Sequence, residues 1–165
     1  MKPALFSYHS PETLSEALGL LASLEEARPL AGGQSLMPMM NFRFVQPGAI
    51  VDLNRISELV GVRCDAASIS FGAMTRQRDI HRSGAVQETM PVIPAALALV
   101  GHRQTRARGT IGGSLAHFDP SAELSNLACL LDCGMLQFKV NGSQEIRRPK
   151  ASDCSGDAAR GNRRR

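Results

Sequence analysis

The stretch Leu30-Ala31-Gly32-Gly33-Gln34-Ser35-Leu36 is the first of two glycine segments in this 165-residue chain. The stretch leaves a predicted strand at 28–31 and enters a short predicted helix that begins near Leu36. A second glycine segment reads Gly109-Thr110-Ile111-Gly112-Gly113-Ser114-Leu115-Ala116. Adjacent glycines let the backbone turn through positive φ and come close to a bulky ligand. Each segment is either a plain turn or part of an anion site, and both interpretations stay open.

The anion interpretation depends on backbone donors. Successive N–H groups in such a turn point into one concavity that suits phosphate oxygens, and Ser35, Thr110 and Ser114 add hydroxyl donors. Two such segments would embrace the two phosphates of a pyrophosphate. No lysine follows as in a Walker loop, and no G-x-G-x-x-G occurs, so the sequence has neither the nucleotide P-loop nor the Rossmann fingerprint.

Around the first segment the sequence predicts a small β-α-β-helix-β unit over residues 1–55. Ser10 is predicted to cap the first helix, with Pro11 in its first position. The apolar face of this helix carries Leu14, Ala17, Leu18 and Leu21. A further strand is predicted at 49–53.

Residues 56–153 are predicted to be mixed helix and strand, and 154–165 a disordered basic tail. Thr75 is predicted to cap a helix that runs to His81, and Gly134 to close a helix at 123–133. Residues 101–122 are predicted to be a polar loop. The remaining predictions are a hairpin of 59–64 and 68–72, a buried helix at 91–100 with Pro94 in its first turn, and a hairpin of 135–140 and 144–148 across Asn141-Gly142.

The net charge of +4 does not indicate a basic binding surface. Residues 1–141 contain 12 basic and 12 acidic residues, so the whole excess lies in 142–165. With no Trp, one Tyr and six Phe, the chain lacks an aromatic platform for single-stranded nucleic acid. No apolar run is long enough to span a membrane, and the polar start is unlike a signal peptide. We therefore expect a cytoplasmic protein that neither binds nucleic acid nor inserts into a membrane. Binding of nucleic acid or a membrane surface through the basic tail is the minor alternative.

The four cysteines do not form the framework of a disulfide-rich domain. Cys129 and Cys133 lie one helical turn apart, but no CxxC motif or nearby histidine completes a metal site, which favours small buried side chains. The sequence contains no Ser-His-Asp arrangement, no paired carboxylates and no HExxH motif. Nothing in it indicates hydrolysis.

Both glycine segments resemble the FAD loops of the medium, flavin-binding subunit of the molybdenum hydroxylases, the family of carbon monoxide dehydrogenase and xanthine dehydrogenase. The first is Ala31-Gly32-Gly33-Gln34-Ser35-Leu36-Met37-Pro38-Met39-Met40, and the second is Arg108-Gly109-Thr110-Ile111-Gly112-Gly113-Ser114-Leu115-Ala116-His117-Phe118-Asp119-Pro120-Ser121-Ala122-Glu123. Shorter matches are Phe6-Ser7-Tyr8-His9, Val51-Asp52-Leu53 and Phe71-Gly72-Ala73-Met74-Thr75. The resemblance covers about residues 1–153.

The resemblance implies an α+β fold of the vanillyl-alcohol-oxidase (PCMH) type, with FAD between the subdomains 1–55 and 56–153. It implies that Ala31, Gly32, Gly33, Gln34, Ser35, Thr110, Ile111, Gly112, Gly113 and Ser114 wrap the pyrophosphate. Asp119 would lie near the ribityl or ribose hydroxyls. His117 would contact the flavin or make a structural hydrogen bond. Arg103, Arg106 and Arg108 would steer the anionic cofactor or form a solvated face.

The resemblance also implies a function. Electrons from a molybdenum centre in a large subunit would cross the [2Fe-2S] clusters of a small subunit to FAD and then to an external acceptor. The flavin carries that chemistry, so no catalytic side chain is expected here. The family's subunit is longer, and we expect the second subdomain to be incomplete, with weak or absent FAD retention and poor solubility. The alternative is a truncated or frameshifted fragment without independent activity.

Overall fold

The structure, a computed structural model, describes residues 1–65, 68–138 and 143–148. Its N-terminal unit consists of β1 (Ser7–His9), α1 (Leu14–Ser23), β2 (Ala27–Leu30), α2 (Leu36–Asn41) and β3 (Ala49–Asp52). The strands form one parallel sheet in the order β1-β3-β2. The first three residues of the central strand β3 are buried, as apolar residues of a central parallel strand usually are. The predicted β-α-β-helix-β unit is confirmed.

The core of this unit lies between α1 and the sheet. Ala17 of α1 is buried beside Val51 of β3 and Ile56, which follows the sheet. Leucines of α1 pack around these three residues, because helical spacing places them on one face.

The predicted cap of α1 is wrong, because the helix begins three residues later than expected. Thr13, in extended conformation, accepts a hydrogen bond at Oγ1 from the N–H of Glu16 at 3.2 Å. The Glu16 carboxylate in turn accepts from the N–H of Glu12 at 3.1 Å. Ser10 makes no such cap. The Thr-x-x-Glu spacing at 13–16, which resembles a capping box, was the sequence signal that points to Thr13.

We expect Thr13→Ala to lower the free energy of unfolding by about 1 kcal/mol, since the first turn of α1 loses its side-chain acceptor. Urea unfolding followed by circular dichroism measures the change. Ser10→Ala is the matched control and should alter the unfolding free energy by less than half as much. Equal effects of the two changes would contradict the assignment of the cap to Thr13.

The chain continues through two 3₁₀ turns, Leu53–Arg55 and Ser57–Leu59, into a larger mixed region. Its elements are β4 (Val62–Cys64), β5 (Ile69–Phe71), α3 (Gln77–Arg82), α4 (Gly84–Thr89), α5 (Val92–Leu99), α6 (Arg103–Arg108), α7 (Ile111–His117), α8 (Glu123–Leu130), β6 (Met135–Phe138) and β7 (Gln144–Arg147). β4 pairs with β5 and β6 with β7, both antiparallel, which confirms the two predicted hairpins. The residues between the paired strands, 66–67 and 139–142, lie outside the described ranges, and so does the predicted turn at Asn141-Gly142.

The core of this larger region is made by helices. The buried residues come from α3, α4, α5 and α8, and they are Ile80, Val86, Ile93, Leu97, Leu124 and Leu127. Pro94 lies in the first turn of α5 as predicted, where its missing N–H costs no hydrogen bond. The helix α4 was not predicted; Ser83 caps it by accepting from the N–H of Val86 at 3.4 Å.

The predicted loop at 101–122 is wrong, because most of it forms α6 and α7. Thr110 caps α7 by accepting from the N–H of Gly113 at 3.0 Å, and Phe118 ends it in the left-handed conformation at φ 50°. Glycine is a poor helix former, so the pair at 112–113 gave no helical signal. Tertiary contacts override that propensity here.

Two further predicted caps are wrong. Thr75 is buried, and instead of capping α3 its hydroxyl group bonds to the backbone N–H and C=O of Gly61, both at 2.9 Å. The helix α8 ends at Leu130, and the chain reverses through Asp132 at φ 48° rather than through Gly134. The predicted disordered tail lies outside the described residues.

Within the described ranges, the helices include none that is long and apolar enough to cross a membrane. The same part of the chain holds no cluster of three or more His, Cys, Asp or Glu side chains that could bind a metal ion. Cys129 and Cys133 are partly buried, and burial raises the pKa of the Cys133 thiol.

Candidate functional site

The two glycine segments meet, as the pyrophosphate hypothesis requires. A Cβ on Gly32 would lie 2.5 Å from the carbonyl oxygen of Arg108 and 2.8 Å from the Cα of Gly109. A Cβ on Gly113 would lie 3.2 Å from the Cβ of Ala31. The glycines therefore allow close contact between the two segments. From the sequence, these glycines were expected to allow a turn through positive φ and the close approach of a ligand.

The first segment has free backbone donors. Among the described residues, no acceptor is found for the N–H groups of Gly32, Gly33, Gln34 and Ser35. The turn is fixed by Gly33, whose φ of +72° suits glycine, and by the N–H of Met37, which donates to the carbonyl of Gly33 at 3.1 Å. The side-chain amide of Gln34 donates to the Gly32 carbonyl at 3.2 Å. This segment has the free donors that the sequence predicted.

The second segment differs, because its N–H groups are already used. Ile111 and Gly112 donate to the carbonyls of Thr75 and Ala73 at 3.1 and 2.9 Å. Gly113 and Ser114 donate to the hydroxyl and carbonyl oxygens of Thr110 at 3.0 and 3.2 Å. The expectation that successive N–H groups point into an open concavity is therefore wrong here. The hydroxyl group of Ser114, which accepts from the side-chain amide of Gln77 at 3.0 Å, still has its own proton to donate.

A polar network that sequence reasoning did not single out supports the first segment. The Tyr8 hydroxyl donates to Asp52 Oδ2 at 2.5 Å. Asp52 Oδ1 accepts from the side-chain amide of Asn54 and from its N–H, the latter at 2.9 Å. The Asn54 amide also donates to the carbonyl of Ala31 at 3.0 Å. Asp52 is the last residue of β3, Asn54 comes shortly after it, and the first glycine segment follows β2. Parallel strands end at the same edge of the sheet, so this proximity was predictable.

Arg76 joins this network to the second segment. Its Nη2 donates to Asn54 Oδ1, and its Nη1 donates to the carbonyl of Arg108. Burial lowers the pKa of Arg76, and the nearby Arg108 cation lowers it further. The hydrogen bond from Tyr8 to Asp52 raises the pKa of the tyrosine. Tyr8 is therefore a neutral donor at neutral pH.

Beside the first segment lies a cleft of about 460 Å³. Its lining comprises Leu30, Ala31, Gly32, Gly33, Gln34, Met37, Pro38, Asn41, Asp52, Asn54 and Arg108. Four predicted site residues, those at 31–34, therefore line it. Ser35 and the predicted residues at 110–114 do not belong to this lining, although Gly113 packs against Ala31.

Asp119 is exposed and does not line the cleft. Its Oδ1 accepts from the hydroxyl and the N–H of Ser121 at 2.7 and 2.9 Å, and these bonds lower the pKa of Asp119. His117 is also exposed, at the end of α7. Arg106 has a structural role, since its Nη1 donates to the carbonyls of Val100 and Gly101.

Comparison with known proteins gives this site its context. A family model described as "FAD binding domain in molybdopterin dehydrogenase" matches residues 4–154. The carbon monoxide dehydrogenase medium chain of Hydrogenophaga pseudoflava is 40% identical over 147 residues, which are 88% of this chain and 51% of the relative. The caffeine dehydrogenase subunit beta of Pseudomonas sp. (strain CBB1) is 39% identical over 151 residues, or 91% and 51% of the two chains.

Solved structures agree with these relatives. A carbon monoxide dehydrogenase structure from Hydrogenophaga pseudoflava superposes with a TM-score of 0.87 at 39% identity, covering 90% of this chain and 52% of the other. Quinoline 2-oxidoreductase from Pseudomonas putida 86 gives the same values. The chain thus spans about half the length of the relatives it matches. The mixed helix-and-strand fold is confirmed, and the chain belongs to the family of FAD binding domains of molybdopterin dehydrogenases.

Proposed function

We propose that this chain binds FAD as part of the medium subunit of a molybdenum hydroxylase, with the cofactor's pyrophosphate at the first glycine segment. The observation that carries the proposal is the row of free N–H groups at residues 32–35, three of which belong to residues that line the cleft. The charged residues of the cleft lining are Arg108 and Asp52. Backbone amides are good donors to phosphate oxygens, and the oxygens of a bound pyrophosphate would be the acceptors that these N–H groups lack.

The residues divide into two roles in this proposal. Ala31, Gly32, Gly33, Gln34 and Ser35 hold the phosphates directly. Thr110, Ile111, Gly112, Gly113 and Ser114 support that loop from behind, and Ser114 brings a hydroxyl group. Asp119 would meet the sugar hydroxyls of the cofactor from the opposite side. Like other aspartates it is an anionic acceptor at neutral pH, and its lowered pKa extends this to more acidic pH.

The flavin supplies one- and two-electron redox chemistry when bound, and the chain binds and orients it. We propose that the partners are a molybdenum-binding large subunit and a [2Fe-2S] small subunit, from which electrons reach FAD on the way to an external acceptor. The relatives support this assembly by their names, which include "Carbon monoxide dehydrogenase medium chain" and "Nicotine 6-hydroxylase medium subunit".

We also propose the vanillyl-alcohol-oxidase (PCMH) type of fold, with subdomains at 1–55 and 56–153. Two separate groups of buried residues support this division. One group surrounds Val51 in the parallel sheet, and the other surrounds Leu97 among the helices. The two glycine segments come from different subdomains and meet at the cleft edge.

A competition experiment tests the cofactor assignment. The quenching of FAD fluorescence on addition of the purified chain measures binding, and ADP or adenosine is then added as competitor. If the pyrophosphate carries recognition, ADP should displace FAD, and adenosine should be at least about tenfold weaker. Equal competition by ADP and adenosine would contradict the proposed role of residues 31–35.

The competing hypothesis is that the 165 residues have no activity of their own. Co-expression with the large and small subunits of a molybdenum hydroxylase separates the two. Recovery of the chain in a flavin-loaded complex supports the proposed function. Recovery of the other subunits without this chain supports the alternative.

A further inference from the structure

The guanidinium group of Arg76 lies where the two glycine segments meet. It donates to Asn54 Oδ1 on one side and to the carbonyl oxygen of Arg108 on the other. Asn54 in turn donates to the carbonyl of Ala31 at 3.0 Å. The Arg108 carbonyl is the group that would lie 2.5 Å from a Cβ on Gly32. The Arg76 side chain therefore contacts Asn54, which is hydrogen-bonded to the first glycine segment, and the carbonyl group of Arg108, at the start of the second.

The backbone of Arg76 is itself held by the second segment. Arg76 and Thr110 form an antiparallel bridge, and the N–H of Gln77 donates to the carbonyl of Gly109 at 2.9 Å. The guanidinium therefore extends from an anchored position toward Asn54. This anchoring limits the conformational freedom lost when the hydrogen bonds form.

Only arginine suits this position. A planar guanidinium donates in two directions with fixed geometry, whereas a lysine ammonium group is a point charge on a flexible chain. Both acceptors of Arg76 are neutral oxygens, and the carboxylate of Asp52 accepts from Tyr8 and Asn54 instead. The geometry indicates that Arg76 joins two chain segments rather than pairing with a carboxylate.

We propose that Arg76 is a positioning residue, which fixes the first glycine segment against the second and so holds the free N–H groups of residues 32–34 at the cleft that these residues line. The inference rests on the proposed function, because the consequence of positioning is tighter FAD binding. It adds a residue outside both glycine segments to the cofactor site.

FAD affinity of the full chain is measured for wild type, Arg76→Gln, Arg76→Lys and the control Arg78→Gln. Arg78 is two residues away and exposed, and it pairs only with Asp79 among the described contacts. We expect Arg76→Gln to weaken FAD binding about tenfold, since hydrogen bonds from a charged donor are lost. Arg78→Gln should bind like wild type.

Arg76→Lys separates positioning from charge. It keeps the positive charge but loses the two-directional donor, so we expect most of the affinity loss to remain. Full recovery of FAD affinity in Arg76→Lys would show that charge alone matters and would overturn the inference. Wild-type affinity in Arg76→Gln would also overturn it and leave the proposed function standing.

A second readout does not depend on flavin. Urea unfolding of Arg76→Gln, Asn54→Ala and the double variant forms a double-mutant cycle. If the two changes acted independently, the double variant would raise the unfolding equilibrium constant by the product of the two single-variant factors. We expect an increase several-fold smaller than this product, because either single change already breaks the shared interaction. Additive effects would overturn the inference. If wild type fails to bind FAD, the proposed function fails, while this cycle still decides whether Arg76 joins the segments.

Discussion

Gly32→Ala should cause the largest loss of cofactor affinity of any single methyl group added to this chain. The new Cβ would lie 2.5 Å from the carbonyl oxygen of Arg108, closer than any real contact, and both neighbouring groups are backbone. The two glycine segments must therefore separate. Overpacking of this kind costs about 1–3 kcal/mol, which corresponds to a loss of roughly tenfold or more in FAD affinity if the separation misaligns the donors.

Fluorescence titration with FAD and urea unfolding together measure this effect. Gly19→Ala is the matched control, since a Cβ there meets nothing within 4 Å and the residue lies inside α1. The control should stabilise the chain by about 0.5–1 kcal/mol, because alanine is a better helix former than glycine. Unchanged FAD affinity and stability in Gly32→Ala would refute the close contact of the segments.

Leu97→Ala should cause the largest loss of stability. Leu97 is fully buried in α5 among Ile80, Val86, Ile93, Leu124 and Leu127, the core that supports the second glycine segment. Truncation removes apolar contacts and leaves a cavity, at a cost of about 2–5 kcal/mol. Since domains are stable by only about 5–15 kcal/mol, a large share of the folding free energy would be lost.

The control for this prediction lies on the same helix. Leu99 is 73% exposed, so Leu99→Ala should change the unfolding free energy by less than about 0.5 kcal/mol. Thermal unfolding of both variants tests the difference. Similar midpoints for the two variants would show that α5 is not packed as described.

The sequence predicted the strands and helices of the N-terminal unit well, because these depend on local patterns. Their parallel pairing is a finding of the structure. Apolar strands such as 49–52, turns marked by glycine and short helices are each encoded within a few residues. The interpretation of 101–122 as a loop failed for the opposite reason. Local glycine content predicted a loop, whereas hydrogen bonds from Ile111 and Gly112 to residues almost 40 positions earlier hold this segment in place.

The assignment of the predicted residues to a cofactor site stays a prediction. Residues 31–34 line the cleft, whereas Ser35, residues 110–114 and Asp119 do not. Arg76 was missed, since a single arginine in a short helix start carries no local signal. Its importance depends on two oxygen atoms, from Asn54 and Arg108, that lie far from it in the sequence.

The amino-acid sequence predicted where the strands and glycine segments lie along the chain, and the resemblance of those segments predicted the class of cofactor. These predictions depend on local features: hydrophobic periodicity, turn preference and short motifs. Which glycine segment keeps free N–H groups depends instead on the tertiary structure. The reason is that an N–H group is free or used according to whether a distant carbonyl lies within reach. Thr75 and Ala73 supply such carbonyls to residues 111 and 112, and no described residue supplies one to residues 32–35.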